Sequence, residues 1–418
     1  MKTTPFVYFL CLTTILAGCA KSTQSAISLR PMNSPAPKMS LVPQLTQLSN
    51  GKIALSWQER LAGGGYRFSL AIRNGNNWSE NRTIASGPNL SMFTADLPGV
   101  AELPSGALLA YWELKDPSEG DRYATAIQTA VSEDEGRSWS VPKQPYKDAL
   151  SGQHSFLAWF ASPDGLGLVW LDAQQRAMVR RAKMQESDMG SVGLRYAHLD
   201  LQGGLTKESF IDPITCECCP TSAAVSARGP VVVYRGRQEP PGTQPSEVHE
   251  DRPTVRDIYI TRLETGKWSK PHLLHPDNWV INACPDNGPS VSAKDNAVAV
   301  AWWTRSGDDP KVQVAFSKAA GDTFGSPLRI DAGKAEGQVT IALLPDAKGA
   351  VVGWLEGGQT WARIVSEKGH RGPPVSLGPS PRHSRLPNWI ASKLDITAAW
   401  TSNKYNLPRV EVSRLDVH

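Results

Sequence analysis

No apolar run in this 418-residue chain is long enough to cross a bilayer. The best of them, Phe6 to Leu16, stops well short of the roughly 20 residues that a spanning helix needs. No segment beyond it shows a convincing long helical period, which argues against a helical bundle. Runs of Lys or Arg are missing, and a net formal charge of +4 is small for this size, so nucleic acid is a poor candidate partner. Beyond residue 40 no Pro-rich or low-complexity linker interrupts the chain, so one large domain fits better than two or three. Cysteine is scarce at six residues, whereas 35 Gly, 32 Pro and 14 Trp indicate a globular body rich in turns and large rings.

The N-terminus reads as a targeting segment. Met1-Lys2 carries a positive charge, the short apolar run follows, and Leu16-Ala17-Gly18-Cys19 resembles the lipobox of bacterial lipoproteins. The resemblance implies cleavage after residue 18, lipid attached to Cys19, and anchoring in the cell envelope. With Ala20 and no Asp after the cysteine, it implies an outer-membrane lipoprotein, periplasmic or surface-facing. Residues 19–40, rich in Ser, Pro, Ala and Lys, read as a tether, and 41–418 as the folded body.

Within the body one pattern recurs seven times: a short apolar strand, preceded by a turn signal, that ends in an aromatic residue. The copies are Ile53 to Trp57, Ala107 to Trp112, Leu166 to Trp170, Val231 to Tyr234, Val298 to Trp302, Ala350 to Trp354 and Ile396 to Trp400. Their final rings lie 46 to 68 residues apart, which brackets the length of a four-stranded propeller blade. The expected fold is therefore an all-β propeller of four-stranded blades, seven by this count, with six open if one copy is an insertion. The last repeat, from about Leu386, has room for only three strands. The alternating segment Ala26 to Arg30 is the candidate for its outer fourth strand, which would also protect an edge.

Ser132-Glu133-Asp134-Glu135-Gly136-Arg137-Ser138-Trp139 matches the Asp-box pattern S-x-D-x-G-x-x-W. Its logic is a hairpin whose Asp caps turn amides, whose Gly takes a conformation other residues resist, and whose Trp packs between strands. Weaker copies are Ser317 to Phe324, Asn74 to Trp78 and Thr265 to Trp268. With these motifs residues 41–418 resemble the sialidase-like superfamily of Asp-box (BNR-repeat) propellers. The resemblance implies a site on the propeller axis that binds carbohydrate. In sialidases three arginines hold the substrate carboxylate, a Tyr/Glu pair supplies nucleophile and base, and an Asp is the acid. The Phe-Arg-Ile-Pro motif of that family is absent here, and the corresponding stretch reads Leu41-Val42-Pro43-Gln44-Leu45.

Three functions stay open: a membrane-tethered propeller binding a glycan or other envelope ligand, a glycoside hydrolase of the exo-sialidase type, and a structural assembly propeller. Polar residues ahead of the second strands should approach the axis, namely Asp96, His154, the cysteine cluster, Asn287, Gln338 and Arg385. Asp96, Tyr234 and Glu356 are the candidates for catalysis; Arg235, Arg237, His154, Arg385 and Trp389 are the candidates for binding ligand. No cofactor is expected. Cys216, Cys218, Cys219 and Cys284 occupy equivalent places in consecutive repeats. In an exported protein they suggest one bridge to Cys284 plus one local bridge, with a thiolate metal site as the alternative.

Overall fold

The computed structural model describes residues 26–92, 98–116, 124–147, 152–174, 192–242, 253–381, 388–391, 396–404 and 406–418. Among these almost everything regular is strand, and no helix is long and apolar enough to cross a membrane. The strands form seven antiparallel blades in chain order.

Blade one runs Ser40–Gln47, Ile53–Arg60, Tyr66–Asn74 and Arg82–Gly87. Blade two has Gly99–Glu102, Leu108–Lys115 and Thr125–Ser132, with a single bridge from Thr129 to Lys143 at its outer edge. Blade three comprises His154–Ser162, Gly165–Asp172, Gly193–Leu199 and Leu205–Asp212. Blades four and five begin at Ser222–Ser226 and Ser290–Lys294, and continue through Gly229–Arg235 and Ala297–Thr304 respectively. Blade six begins at Ala335–Leu343. Blade seven pairs Asn388–Ala391, Ile396–Ser402 and Arg409–Val417, and takes its outermost strand, Ile27–Met32, from the start of the chain.

That last pairing confirms the expected closing strand and moves the domain boundary. Ile27–Met32, expected within the tether, belongs to the propeller, because a segment that looks like a linker by composition is held by partners far away in sequence. Trp78 Nε1 donates to Asn33 O at 2.9 Å, Asn81 donates to Pro35 O at 3.0 Å, and Ala36 is buried between blades seven and one. Ala26 and His418 exchange backbone hydrogen bonds at 3.3 and 3.0 Å.

Among the described residues the apolar core is not central. Seven apolar clusters lie in the seven seams between neighbouring blades. The repeated aromatics Trp57, Trp112, Trp170, Tyr234, Trp302, Trp354 and Trp400 all sit on second strands and are all buried. Burying a ring of this size stabilises by several kcal/mol at ~25 cal/mol per Å², so each blade is useful only with its neighbours in place.

The Asp-box hairpin is built as its residues dictate. Asp134 accepts from Ser138 N at 2.9 Å, from Ser138 Oγ at 2.6 Å and from Ser132 Oγ at 2.8 Å, and these donors hold its carboxyl far below the ordinary carboxylate range. Gly136 stands at φ +90°, where a side chain would strike Leu70 at 2.8 Å. Trp139 packs into the seam of blades one and two. The weaker copy repeats the device: Gly321 N donates to Ser317 Oγ at 3.0 Å, and Phe324 packs between blades four and five.

Candidate functional site

The first residues of the inner strands share one face by the repeat, and two features meet there: an axial channel and a group of cysteines. The inner strands are stitched to each other around the axis by hydroxyls that accept the next blade's amides. Val291 N donates to Ser222 Oγ at 3.1 Å, Ile341 N to Ser290 Oγ at 3.2 Å and Leu343 N to Ser292 Oγ at 3.0 Å. Three of these strands bulge near their start. Val42, Phe156 and Gln338 stand at φ +49°, +60° and +56°, each where the ladder register shifts.

The channel has a volume of about 200 Å³ and draws its lining from all seven blades. Gln44, Gln338 and Asn388 supply amides, Thr221, Ser222, Ser290 and Thr340 supply hydroxyls, and Tyr111 and Trp159 supply rings. No Asp, Glu, Lys, Arg or His lines it among the described residues. The amides are fixed: Asn388 Nδ2 donates to Gln44 Oε1 at 3.1 Å, and Gln338 Nε2 donates to Asp286 O at 2.9 Å. Of the polar residues expected near the axis, Gln338 lies on it. Asn287 is one layer behind, accepting from Gln338 N at 2.6 Å and donating to Pro285 O at 3.0 Å.

The other candidates have structural surroundings. Arg235 is 1% exposed, and its guanidinium donates to the carbonyls of Asn287 (2.9 Å), Trp303 (2.7 Å) and Arg256 while lying over Trp279 at 5.1 Å. It is a strut joining blades four and five, with no donor directed into the channel. His154 is buried and stacked on Tyr146, with Nδ1 near the carbonyl oxygens of Thr125 and Gly152 and Nε2 3.6 Å from Asp172. Trp389 is 7% exposed in the seam of blades six and seven. Tyr234 donates to Asp212 at 2.5 Å, and burial pushes its hydroxyl far above the usual tyrosine range.

Glu356 is buried in part, which raises its pKa, yet the donors Trp354 Nε1, Ala332 N and Lys334 N bring the net value below the ordinary one and make it a loop clamp. Arg237 lies 3.5 Å from Glu217, to which Arg256 also donates at 3.1 Å. Cys19, Asp96 and Arg385 lie outside the described residues.

The cysteines are where the repeat puts them, but they are not bridged. Cys216 Sγ lies 3.3 Å from Cys219 Sγ and 3.7 Å from Cys218 Sγ, far beyond a disulfide bond of about 2.05 Å, and all four cysteines are free thiols. The expected bridges to Cys284 and within the triplet are therefore absent. Burial opposes a thiolate at Cys216, but its hydrogen bonds with Cys218 and Cys219 and the charge of Arg256 hold its pKa well below the usual range. Cys218, hydrogen-bonded to Cys216, and Cys219, which is buried, are both pushed far up.

Sequence reading missed Gln44, Trp159 and Asn388. The available signal was their common position on or beside the innermost strand of each repeat.

No protein-family model matches the chain, and no curated protein matches its sequence. Among solved structures it is similar to an α-L-arabinanase of Penicillium chrysogenum bound to arabinobiose, at 13% identity, 93% and 98% coverage of the two chains, and a TM-score of 0.49. It is also similar to the propeller domain of the Trilobed protease of Pyrococcus furiosus (12%, 91% and 98%, 0.48). The NanB sialidase of Streptococcus pneumoniae is a third (13%, 90% and 68%, 0.39). These likenesses are of fold alone.

Proposed function

We propose that this chain is a membrane-tethered envelope lipoprotein whose axial channel binds a neutral saccharide. The observation that carries the reading is the channel lining: amides, hydroxyls and two rings, with no ionic side chain among the described residues. Sugar hydroxyls are matched by amide and hydroxyl groups and their apolar faces by aromatic rings, so such a lining suits an uncharged glycan. A sialic acid carboxylate calls for guanidinium forks, and glycoside hydrolysis for a carboxylate pair; the channel offers neither among its lining residues. The exo-sialidase reading is correspondingly weaker, and the polar lining also disfavours a propeller whose axis is only packing.

Calorimetry with matched neutral and anionic oligosaccharides tests this. Neutral ligands should bind, and binding should fall at least about tenfold in Trp159→Ala and Gln338→Ala, equivalent to ~1.4 kcal/mol. Preference for the anionic series, or affinity unchanged in both variants, would sink the reading.

A further inference from the structure

The channel leaves one chemically distinctive feature unused. Three sulfurs, those of Cys216, Cys218 and Cys219, lie within 4.8 Å of one another just ahead of Pro220 in the channel wall, and an exposed fourth cysteine, Cys284, comes from the next blade. Three clustered thiols are not needed for packing, since one of them, Cys218, is partly exposed, and Cys284 is fully so. Sulfurs bound tetrahedrally to one ion at 2.3 Å stand ~3.8 Å apart. The observed 3.3 and 3.7 Å lie close to that spacing, and an ion would need only small sulfur movements.

The framework around the sulfurs is rigid. Cys216 N donates to Arg235 O at 3.0 Å, and Thr215 N to Val192 O at 2.8 Å. Gln153 Nε2 reaches Glu217 O at 3.3 Å from blade three. Arg237 and Arg256 face the intervening Glu217, so two guanidinium groups stand ready to balance an anionic thiolate complex.

We propose that Cys216, Cys218, Cys219 and Cys284 form a binding site for one thiophilic d¹⁰ cation, Zn²⁺ or Cu⁺. Thiolate sulfur is the ligand both ions prefer, and neither requires a geometry that four sulfurs, or three with one more distant, cannot supply. Each thiol that ligates loses its proton to solvent and gives a lone pair to the metal; nothing is oxidised or reduced. The site would cross-link blades four and five beside the channel, independently of what the channel binds.

The test uses the full chain in detergent, reduced and handled without oxygen, titrated in separate arms with Zn²⁺ and Cu⁺ against chromophoric chelators of known affinity. One ion per chain should bind, and the tighter arm identifies it. X-ray absorption should show three or four sulfur neighbours at about 2.3 Å. Cys284→Ser, at an exposed position that the fold does not depend on, should weaken binding at least about tenfold, since even groups that only support a ligand contribute that much. Cys216→Ser, at a buried position, is read only if its circular dichroism matches the parent. Binding of neither ion, equal binding by Cys284→Ser, or disulfides among these cysteines in a non-reducing digest of protein isolated from the envelope would overturn the proposal.

Discussion

A Cβ on Gly288 would lie 2.1 Å from the carbonyl oxygen of Pro220. Gly288 follows the Cys284 segment and Pro220 follows the Cys216–Cys219 segment, so the close approach of the two blades at the mouth depends on a missing side chain. Gly288→Ala should destabilise by about 1–3 kcal/mol through overpacking. Gly63→Ala, where a Cβ meets nothing within 4 Å, should stay within about 0.5 kcal/mol. Denaturant unfolding of both variants checks the contrast, and equal costs would contradict it.

Arg235 satisfies three buried carbonyls from one planar group. Arg235→Met leaves them without donors, at roughly 1–3 kcal/mol each, so the loss in stability should exceed about 3 kcal/mol. Arg235→Lys should recover little of it, because a point ammonium cannot reach three acceptors in that plane. A fully stable lysine variant would show that the strut is dispensable.

Asp134 titrates below its unfolded-state value, so its stabilising contribution is complete above that value and disappears as pH falls through the folded one. The melting-temperature gap between wild type and Asp134→Ala should be full at neutral pH and shrink below about pH 4. A gap that stays constant on acidification would rule out the carboxylate as its source.

Deleting residues 26–32 removes the outermost strand of blade seven and bares the edge of Arg409–Val417. The melting temperature should drop by several degrees, and the truncated chain should associate through that edge. Light scattering and thermal melts report both effects; an unchanged melt would mean the pairing contributes nothing.

Cys19→Ser should leave the propeller folded and release it from membranes, because two or three acyl chains anchor firmly where none anchors at all. Retention of the variant in the detergent phase would refute lipid attachment at this cysteine.

The ring was legible because its signal repeats. Trp57, Trp112, Trp170, Tyr234, Trp302, Trp354 and Trp400 fill equivalent places, so one physical requirement, a large ring for each seam, is written seven times. The site is written once. Whether Arg235 is a ligand fork or a strut depends on the carbonyls of Asn287, Arg256 and Trp303, which are 21 to 68 residues away and carry no side-chain signature. Gln44 and Asn388 meet across 344 residues, a pairing no local pattern encodes. The thiol cluster falls between these cases: its spacing was visible, but the choice between bridge and open thiols rested on sulfur separations of a few ångströms.

The hydrogen bonds between Ala26 and His418 have a kinetic side. Ala26 pairs with a residue 392 positions away, so blade seven cannot close until both segments are in place. Loop closure over this distance is slow compared with hairpin formation, and until it happens blades one and seven expose the apolar faces of their common seam. A propeller closed in this way is therefore most exposed to proteases and chaperones in the interval before the strand Ile27–Met32 docks on Arg409–Val417. Once docked, neither end can fray without opening the other.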